Sequence, residues 1–483
     1  MPSFTVNVKW GKQKFESVEL NTDEAPEVFH AQMFALSGVP PERQKIMAKG
    51  KALKPNTWDG FALKNGMMLL MMGSADALPE APKTKTQFIE DMSDAQVAKA
   101  TNLPTGLNNL GNTCYMNATI QCLKTVPELV DGLKSYSGQI SIGGVLSDTA
   151  SAITTSLRDL YSSLDRSNTD SLPPIMFLQV LHTAFPHFAE KTEQGVYQQQ
   201  DANECWTQMV RMLQQKLPGK SNNDTASSSG SLIDQYFGVE YKTSMKCDES
   251  EDEPETTSTE RLYQLSCFIN QDVKYLHTGL RNRLKENITK ASPSLGRDAS
   301  YTKSSLIDRL PAYLTVQFVR FYYKEKENVN AKVLKDVKFP MTLDVFDLCS
   351  SDLQNKLQPM RDRFKAEDEK NVLKKVEAAK AGGKPMEVDE KKKEIPYSFT
   401  EDVGSNNSGY YELKAVLTHK GRSSTSGHYV GWVRIGGDKW VKCDDDTVSP
   451  ILEADVLKLS GGGDWHCAYV LLYGPKVLKV DEE

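Results

Sequence analysis

The chain has 483 residues, of which 39% are hydrophobic, so it exceeds what one hydrophobic core usually organises and should form two or more domains. Its formal net charge of -6 argues against a dedicated nucleic-acid-binding protein, because phosphate binding normally requires a surplus of Lys and Arg. No stretch reaches the roughly 20 apolar residues of a transmembrane segment, and the amino terminus lacks the apolar core of a secretory signal. We therefore expect a cytoplasmic or nuclear protein.

The cysteines are scattered along the chain, and none of them forms a Cys-x-x-Cys pair. Disulfide frameworks and structural zinc sites usually need closely spaced pairs. We therefore expect reduced thiols, no metal and no cofactor. The eight cysteines are Cys114, Cys122, Cys205, Cys247, Cys267, Cys349, Cys443 and Cys467.

The first predicted elements form a compact α+β pattern. Apolar and polar residues alternate over residues 4–8 and again over 15–20, on either side of the turn-like Gly11, which predicts a β-hairpin. A helix should follow and end before Gly38. The helix is expected over residues 25–36, with apolar Val28, Ala31, Met33, Phe34 and Leu36, and two further strands over 44–47 and 67–72.

The segment IMAKGKALKPNTWDGFALKNGMMLLMMG resembles the second half of ubiquitin-like domains, so residues 1–75 are predicted to be a small β-grasp ubiquitin-like domain. Ubiquitin ends in a free double glycine, whereas here Gly73 is followed by Ser74 and the chain continues. This departure predicts a fixed docking module and not a conjugated tag. Residues 76–100 contain few groups to bury, and they are predicted to form a flexible linker.

A second domain is predicted over residues 101–475, followed by a tail over 476–483. Its helical patterns come early, and its apolar strand-like runs come late, which indicates the α+β class. The charged tract at residues 365–394 is predicted to be a solvated insertion. The helices are expected near 123–133 and 202–217, and the strands near 312–323, 410–418, 428–433 and 467–473.

The segment GLNNLGNTCYMNA, residues 106–118, places Cys114 between a glycine- and asparagine-rich turn and an apolar, helix-like run. A helix amino terminus favours a thiolate through its dipole and free N–H groups, and a thiolate is the nucleophilic form of cysteine. Asn109, Asn112 and the backbone N–H of Cys114 could stabilise the oxyanion formed when a thiolate attacks a carbonyl. Taken alone, a cysteine in such a loop is more often a small buried core residue.

A histidine and an acidic cluster near the carboxyl end could supply the base that activates a thiol nucleophile and the carboxylate that orients this base. SSTSGHYVGWVR places Gly427 and His428 at the start of a strand, and KWVKCDDDTVS is a strand that ends in carboxylates. An antiparallel neighbour could bring Asp444 to a ring nitrogen of His428 and fix its tautomer, with Asp445 as the alternative. A lone His is more often a core or surface residue, so the assignment depends on all three groups occurring together.

Four motifs in this order resemble the ubiquitin-specific proteases. Residues 106–118 resemble the cysteine box of that family, SGHYVGWVR and WVKCDDDTVS its histidine box, YQQQDANECWTQMV its glutamine-aspartate element, and YVLLYG its closing strand. The resemblance covers about residues 101–474. It implies a papain-like cysteine protease fold of fingers, palm and thumb, and hydrolysis of the isopeptide bond at the carboxyl-terminal glycine of ubiquitin.

The resemblance implies a role for each matching residue. Cys114 would be the nucleophile, His428 the general base, Asp444 the orienting acid and Asn109 the oxyanion donor. The matching residues that would contact ubiquitin are Gln199, Asp201, Glu204, Gly427 and Tyr429.

The fingers of this chain depart from the family. Many members hold zinc there with two Cys-x-x-Cys pairs, whereas here Cys247 stands without a partner. Packing alone is therefore expected to hold the fingers.

The order of ubiquitin-like domain, linker and catalytic domain resembles the proteasome-associated members of the family. It implies docking on the 26S proteasome regulatory particle, trimming of polyubiquitinated substrates there with recycling of ubiquitin, and low activity until docking moves loops at 321–333 and 418–427. A monomer is expected when free. Two other functions stay open, namely a non-catalytic ubiquitin receptor or proteasome regulator, and a papain-like protease of ordinary peptides.

Overall fold

The structure is a computed structural model that describes residues 3–54, 57–75, 103–139, 148–220, 230–324, 329–380, 392–423, 426–463 and 465–481. The chain divides into two compact units, Met1–Phe88 and Ile89–Glu483. The predicted linker at residues 76–100 lies outside the described residues. Within the described ranges, no helix combines the length and the apolar character needed to cross a membrane.

In its described residues, the first unit is a five-stranded sheet with one α-helix. The strand order is β2-β1-β5-β3-β4, in which β1 and β5 are parallel neighbours. Alternate residues of a strand face opposite sides, so Val8 and Leu69 are buried against the helix residue Phe29. The elements are β1 Ser3–Trp10, β2 Gln13–Asn21, α1 Pro26–Ser37, β3 Lys45–Ala48, β4 Lys51–Ala52 and β5 Met68–Met72.

The predicted strand and helix order of this unit is confirmed, with the short strand β4 as an addition. The helix ends at Gly38, which adopts a left-handed backbone with φ of 71° and donates its N–H to the Phe34 carbonyl. The apolar pattern did not identify the buried face, however. Phe29 and Met33 are buried, whereas Val28 and Phe34 are about half exposed.

The second unit begins with helices, as predicted. The buried faces of the helices between Cys114 and Phe237 form one continuous core, whereas the three later helices pack in a second core. The helices are α2 Cys114–Leu123, α3 Pro127–Ser135, α4 Thr149–Arg166, α5 Ile175–Ala184, α6 Ala202–Lys216, α7 Leu232–Phe237, α8 Leu276–Asn282, α9 Ser351–Lys380 and α10 Glu453–Leu457.

The strands of the second unit form an eight-stranded sheet, a four-stranded sheet and three two-stranded pairs. The eight-stranded sheet has the order β10-β13-β22-β18-β19-β20-β21, with β16 paired to β18, and the four-stranded sheet has the order β11-β12-β8-β9. The pairs are β6 with β7, β14 with β15 and β17 with β23. The strands are β6 Gly106–Leu107, β7 Ser171–Leu172, β8 Val239–Cys247, β9 Thr256–Leu262, β10 Leu265–Phe268, β11 Lys285–Ser292, β12 Arg297–Arg309, β13 Leu314–Val319, β14 Phe321–Lys324, β15 Val329–Lys332, β16 Thr342–Asp344, β17 Lys392–Glu394, β18 Tyr410–Ser423, β19 Ser426–Gly436, β20 Lys439–Asp444, β21 Thr447–Ile451, β22 Cys467–Pro475 and β23 Lys479–Asp481.

The eight-stranded sheet separates two hydrophobic cores. Leu417 and Leu472 face the core that contains the early helices, while their strand neighbours Val416 and Leu471 face a second core on the opposite side. These strands are buried on both faces, so their apolar runs are continuous instead of alternating. Helix α2 packs directly on β19, and this contact brings the Cys114 segment to the His428 strand.

The expectation that packing alone holds the fingers is wrong. In the four-stranded sheet, the Glu253 carboxylate accepts hydrogen bonds from Tyr301 Oη at 2.6 Å, Ser292 Oγ at 2.7 Å and Ser294 Oγ at 3.1 Å. Asp248 accepts two further hydroxyl groups of β12. Hydrogen bonds between an acidic loop and strand hydroxyls therefore tie the tip together, near the buried Cys247.

The charged tract predicted at residues 365–394 begins inside a regular helix. The first half of α9 is anchored by buried Leu353, Leu357 and Phe364, whereas Leu373 in the second half is 63% exposed. Residues 381–391 lie outside the described residues. Residues 392–394 form β17, which pairs with β23.

Candidate active site

Cys114 is the first residue of helix α2, at the turn-to-helix junction that its sequence predicts. The chain reverses immediately before it, where Gly111 and Asn112 adopt positive φ angles of 104° and 55°. Asn112 tolerates this left-handed backbone, and its side-chain Nδ2 donates to the Tyr197 carbonyl at 2.8 Å. The side chain of Cys114 is therefore held at a helix amino terminus, where N–H groups and the helix dipole favour negative charge.

Three groups surround the Cys114 sulfur. The backbone N–H of Tyr429 points at Sγ at 3.4 Å, and the amide of Gln199 places Nε2 at 3.4 Å and Oε1 at 3.7 Å from it. His428 is the third group, because it directly precedes Tyr429 and its pKa responds to the nearby Cys114 thiol. The structure thus brings residues more than 300 positions apart to one sulfur atom.

His428 and Asp444 form a short hydrogen bond between neighbouring antiparallel strands. The His428 Nε2 lies 2.6 Å from Asp444 Oδ1, and Lys442 Nζ lies 2.6 Å from the other oxygen of Asp444. Because Nε2 is engaged by the carboxylate, Nδ1 is the ring nitrogen left for the thiol.

The electrostatics of this group favour a charged histidine. The hydrogen bond with Asp444 and then the nearby Cys114 thiol raise the pKa of His428 to about 10. The same contact with His428, assisted by Lys442, lowers the pKa of Asp444 well below its usual range. A proton taken from the thiol would therefore be held on the imidazole, next to a carboxylate that stays ionised.

Asp445, the alternative partner for His428, faces another way. Its carboxylate accepts hydrogen bonds from Asn109 Nδ2 and Asn117 Nδ2, each at 2.9 Å. Burial raises the pKa of Asp445 against the lowering effect of these two amides. His428, Asp444 and Asp445 could each offer one ligand atom to a metal ion, and these atoms lie within 4.8 Å of one another. Each of the three side chains, however, already has a hydrogen-bond partner within the protein.

Asn109 lies in the turn before Cys114, and both ends of its side-chain amide are engaged. Its Oδ1 accepts the backbone N–H groups of Gly111 at 3.0 Å and Thr113 at 3.1 Å, while Nδ2 donates to Asp445. Asn109 therefore braces the turn in this structure. One N–H of its amide is left for an oxyanion.

The three residues predicted to contact ubiquitin from the glutamine-aspartate element have different surroundings. Gln199 is buried against Cys114. Asp201 caps α6 by accepting the N–H groups of Asn203 at 2.7 Å and Glu204 at 3.0 Å, and its second oxygen accepts Tyr469 Oη at 2.8 Å. Glu204 is about half exposed and lies 3.2 Å from a histidine ring.

Gly427 and Tyr429 flank His428, and they are placed by backbone constraints. Gly427 has φ of 124°, and a Cβ built on it would lie 2.3 Å from the Lys420 carbonyl oxygen. Tyr429 is buried with its ring 4.6 Å from that of His419, so its backbone faces Cys114 while its side chain belongs to the core.

Comparison with known proteins identifies the family. The family described as ubiquitin carboxyl-terminal hydrolase matches residues 105–473. The chain belongs to this family. It is 43% identical to ubiquitin carboxyl-terminal hydrolase 6 of Arabidopsis thaliana over 97% of this chain and 98% of that protein. It is 42% identical to ubiquitin carboxyl-terminal hydrolase 14 of Caenorhabditis elegans over 98% of this chain and 94% of that protein. The fission yeast Schizosaccharomyces pombe has a ubiquitin carboxyl-terminal hydrolase 6 that is 36% identical over 98% of both chains.

The chain is thus a cysteine-type deubiquitinase. The structure also places two residues near His428 that the sequence motifs did not identify, Lys332 and His419. Lys332 at the end of β15 donates from Nζ to the His419 carbonyl at 2.6 Å and the Gly421 carbonyl at 3.1 Å, and it lies 3.0 Å from His419 Nδ1. Burial, and then the charge of Lys332, lower the pKa of His419 to about 3, which keeps this ring neutral.

Lys332 ties together the two segments that the hydrolase sequence predicts to be mobile loops, residues 321–333 and 418–427. Within the first segment, β14 and β15 form a hairpin, while residues 325–328 lie outside the described residues. In the second, β18 runs into β19 with residues 424–425 outside the described residues. Neither Lys332 nor His419 carries a sequence signal, because a single basic residue and a strand histidine are common anywhere.

Proposed function

We propose that this hydrolase is a ubiquitin-specific protease of papain-like fold that cleaves the isopeptide bond between the carboxyl-terminal glycine of ubiquitin and a lysine. Cys114 is the nucleophile, His428 the general base and Asp444 the residue that orients it. The observation that carries the proposal is the grouping of three side chains: Cys114 begins α2, the N–H of Tyr429 next to His428 points at the Cys114 Sγ, and His428 Nε2 lies 2.6 Å from Asp444 Oδ1. A catalytic triad is recognised by such geometry and roles.

Each step of the reaction has a group available in this arrangement. The Cys114 thiolate attacks the glycine carbonyl carbon while His428 holds the thiol proton, which gives a tetrahedral oxyanion. The oxyanion collapses, the C–N bond breaks, and His428 gives its proton to the departing lysine amine. Water then attacks the thioester, losing a proton to His428, and releases the ubiquitin carboxylate and the thiol.

The remaining predicted residues serve ubiquitin binding and the oxyanion in this proposal. The free N–H of Asn109 faces the oxyanion, and Glu204, which is exposed, attracts the basic ubiquitin tail. Gly427 and Tyr429 line the approach to Cys114, and the small volume of Gly427 suits a Gly-Gly tail. Gln199 and Asp201 stand beside this path, with Asp201 acting through the cap of α6.

We propose that residues 1–75 are a β-grasp ubiquitin-like domain, residues 101–475 the catalytic domain, and 476–483 a tail. A helix packed on a sheet with two central parallel strands supports the first assignment. Its outer sheet face carries exposed Met68, Leu70 and Met72, an apolar stripe of the kind that marks protein interaction sites. Docking of this domain on the 26S proteasome regulatory particle is inferred from the resemblance of the domain order.

We further propose that the free enzyme, a cytoplasmic and nuclear monomer, has low activity until proteasome binding moves residues 321–333 and 418–427. The contacts of Lys332 with His419 and Gly421 support this, because they hold one segment against the other close to His428. Bound to the proteasome, the enzyme trims polyubiquitinated substrates and recycles ubiquitin.

A ubiquitin with an electrophilic carboxyl terminus tests the proposal. It should label the full chain at Cys114, label the C114A variant nowhere, and react at least ten times faster when 26S proteasome is present. Labelling at another cysteine, or at none with and without proteasome, would overturn the catalytic assignment. Equal labelling rates in the two conditions would overturn the proposed regulation alone.

A further inference from the structure

The side-chain amide of Gln199 lies against the reacting sulfur and not against the solvent. Its Nε2 is 3.4 Å from Cys114 Sγ, and the residue is only 8% exposed. A thiolate is a hydrogen-bond acceptor only, so a deprotonated Cys114 selects the N–H side of the amide. A protonated thiol can donate to Oε1 instead, which lies 3.7 Å away.

The side-chain amide of Gln199 makes hydrogen bonds with the Cys114 sulfur, whereas the amide of Asn109 is engaged by other groups of the protein. Asn109 Oδ1 braces the turn, and its Nδ2 donates to Asp445. In the part of the chain that the structure describes, the Gln199 amide has no hydrogen-bond partner other than the Cys114 sulfur. A thiol sulfur is a weak acceptor, so developing negative charge beside this buried amide would strengthen the hydrogen bond that it donates.

The backbone on both sides of Gln199 is fixed. Upstream, the Tyr197 carbonyl accepts a hydrogen bond from Asn112, two residues before the nucleophile. Downstream, Asp201 caps helix α6 and accepts a hydrogen bond from Tyr469. The Gln199 side chain therefore needs no loop ordering to reach the sulfur, which is the preorganisation that electrostatic catalysis requires.

We propose that Gln199 is a catalytic residue whose side-chain N–H stabilises negative charge first on the Cys114 thiolate and then on the oxyanion. In the tetrahedral intermediate, the oxyanion is bonded to the carbon that the sulfur has just joined. A small rotation of the amide transfers the same N–H from sulfur to oxygen. The assignment rests on the proposed function, since it requires Cys114 to be the nucleophile.

The test compares Gln199→Leu, which removes the amide, and Gln199→Glu, which keeps the shape but replaces the donor with a carboxylate. The neighbouring Gln200→Leu is the matched control. Two assays are run on the full chain. The first is the pH dependence of Cys114 alkylation by iodoacetamide, read by mass spectrometry, and the second is hydrolysis of a fluorogenic ubiquitin conjugate with 26S proteasome present.

Gln199→Leu should lower kcat roughly 100-fold or more, the usual effect of removing one oxyanion donor, with KM within threefold. Its alkylation at neutral pH should slow at least fivefold, Gln199→Glu should lose more in both assays, and Gln200→Leu should match the wild type. A Gln199→Leu defect confined to KM, with normal alkylation, would make Gln199 a ubiquitin contact and overturn the proposal.

Failure of this inference can be told apart from failure of the proposed function. If the wild type is labelled at Cys114 by electrophilic ubiquitin while both Gln199 variants react at the wild-type rate, only the role of Gln199 is wrong. If the wild type is not labelled at Cys114, the nucleophile itself is wrong. If Gln199→Leu also loses thermal stability and Gln199→Glu does not, the activity loss of Gln199→Leu would be assigned to packing. Gln199→Glu would then be the variant that decides the role of Gln199.

Discussion

Replacing Gly427 by alanine tests whether the backbone before His428 sets the position of the imidazole ring, which we propose to be the general base. Gly427 has a positive φ of 124°, and a Cβ there would lie 2.3 Å from the Lys420 carbonyl oxygen and 2.6 Å from His419 Nε2. Lys420 pairs with His428 across β18 and β19. The added methyl group would therefore push apart the strands that hold His428.

The size of the effect follows from these distances. Ordinary van der Waals contact begins at 3.4 Å, so the distance between the added Cβ and the Lys420 carbonyl oxygen must grow from 2.3 to 3.4 Å, a movement of about 1.1 Å. A misplacement of about 1 Å in an active site costs roughly 100-fold in rate, which is about 2.7 kcal/mol of activation free energy. The strained backbone adds roughly 1–3 kcal/mol of instability.

Gly427→Ala should thus lower kcat for a fluorogenic ubiquitin conjugate at least about 100-fold, and it should also slow alkylation of Cys114 by iodoacetamide. The matched control is Gly436→Ala at the other end of the same strand, where φ is 143° but no atom lies within 4 Å of the added Cβ. The control carries backbone strain without the collision, so its kcat should stay within threefold of the wild type.

The two explanations for a glycine at this position give different results. If Gly427 matters only as space for the ubiquitin tail, alanine would raise KM and leave alkylation unchanged, because iodoacetamide needs no tail channel. That result, or a Gly427→Ala variant with wild-type kcat, would refute the argument from the backbone.

Four further predictions concern the site and its support. Asp444→Asn removes the largest cause of the raised His428 pKa, so the alkaline limb of kcat/KM should move from near pH 10 towards lower pH; an unmoved limb would contradict the charged-histidine picture. Arg320→Met leaves two buried and two partly buried carbonyls without a guanidinium donor and should lower the free energy of unfolding by at least about 3 kcal/mol in urea titrations; a change below about 1 kcal/mol would be inconsistent with this role. Asp201→Asn keeps an acceptor for the α6 cap and should be milder than Asp201→Ala in thermal unfolding, whereas a direct ubiquitin contact would make both raise KM equally. Hydrogen bonds lower the pKa of Glu253, so they stabilise the folded state fully above the pKa of the unfolded chain, and this stabilisation is lost as the pH falls. Amide exchange in β11 and β12 should therefore rise below about pH 4.5, and a Glu253→Gln variant should show faster exchange already at pH 7.

The sequence predicted the local structure around Cys114 because short-range rules determine it. A left-handed turn needs Gly and Asn, and an apolar run after it starts a helix, so Gly111, Asn112 and Cys114 lie where these rules put them. The approach of His428 to Asp444 also followed from one antiparallel strand pair. The order of elements in the first unit was predictable for the same reason.

Long-range contacts were not predictable, because they depend on how distant segments pack. An exposed acidic residue and a helix cap look alike in the sequence, and only the fold shows that both oxygens of Asp201 are occupied by Asn203, Glu204 and Tyr469. The buried face of α1 was missed because Val28 and Phe34 are as apolar as the buried Phe29. Apolar character thus predicts the helix without identifying the side that packs.

Asp444 and Asp445 show how two adjacent carboxylates acquire separate tasks. Asp444 is the last residue of β20, so the pleat directs it to His428 across the strand pair. Asp445 begins the turn with a left-handed φ of 53°, which rotates its side chain away, towards Asn109 and Asn117. Its carbonyl also accepts the N–H of Leu107 at 2.8 Å. A single turn therefore joins β20, which carries Asp444, to the segment that precedes Cys114, so a change in either residue should disturb the distance between Cys114 and His428 as well as its own hydrogen bonds.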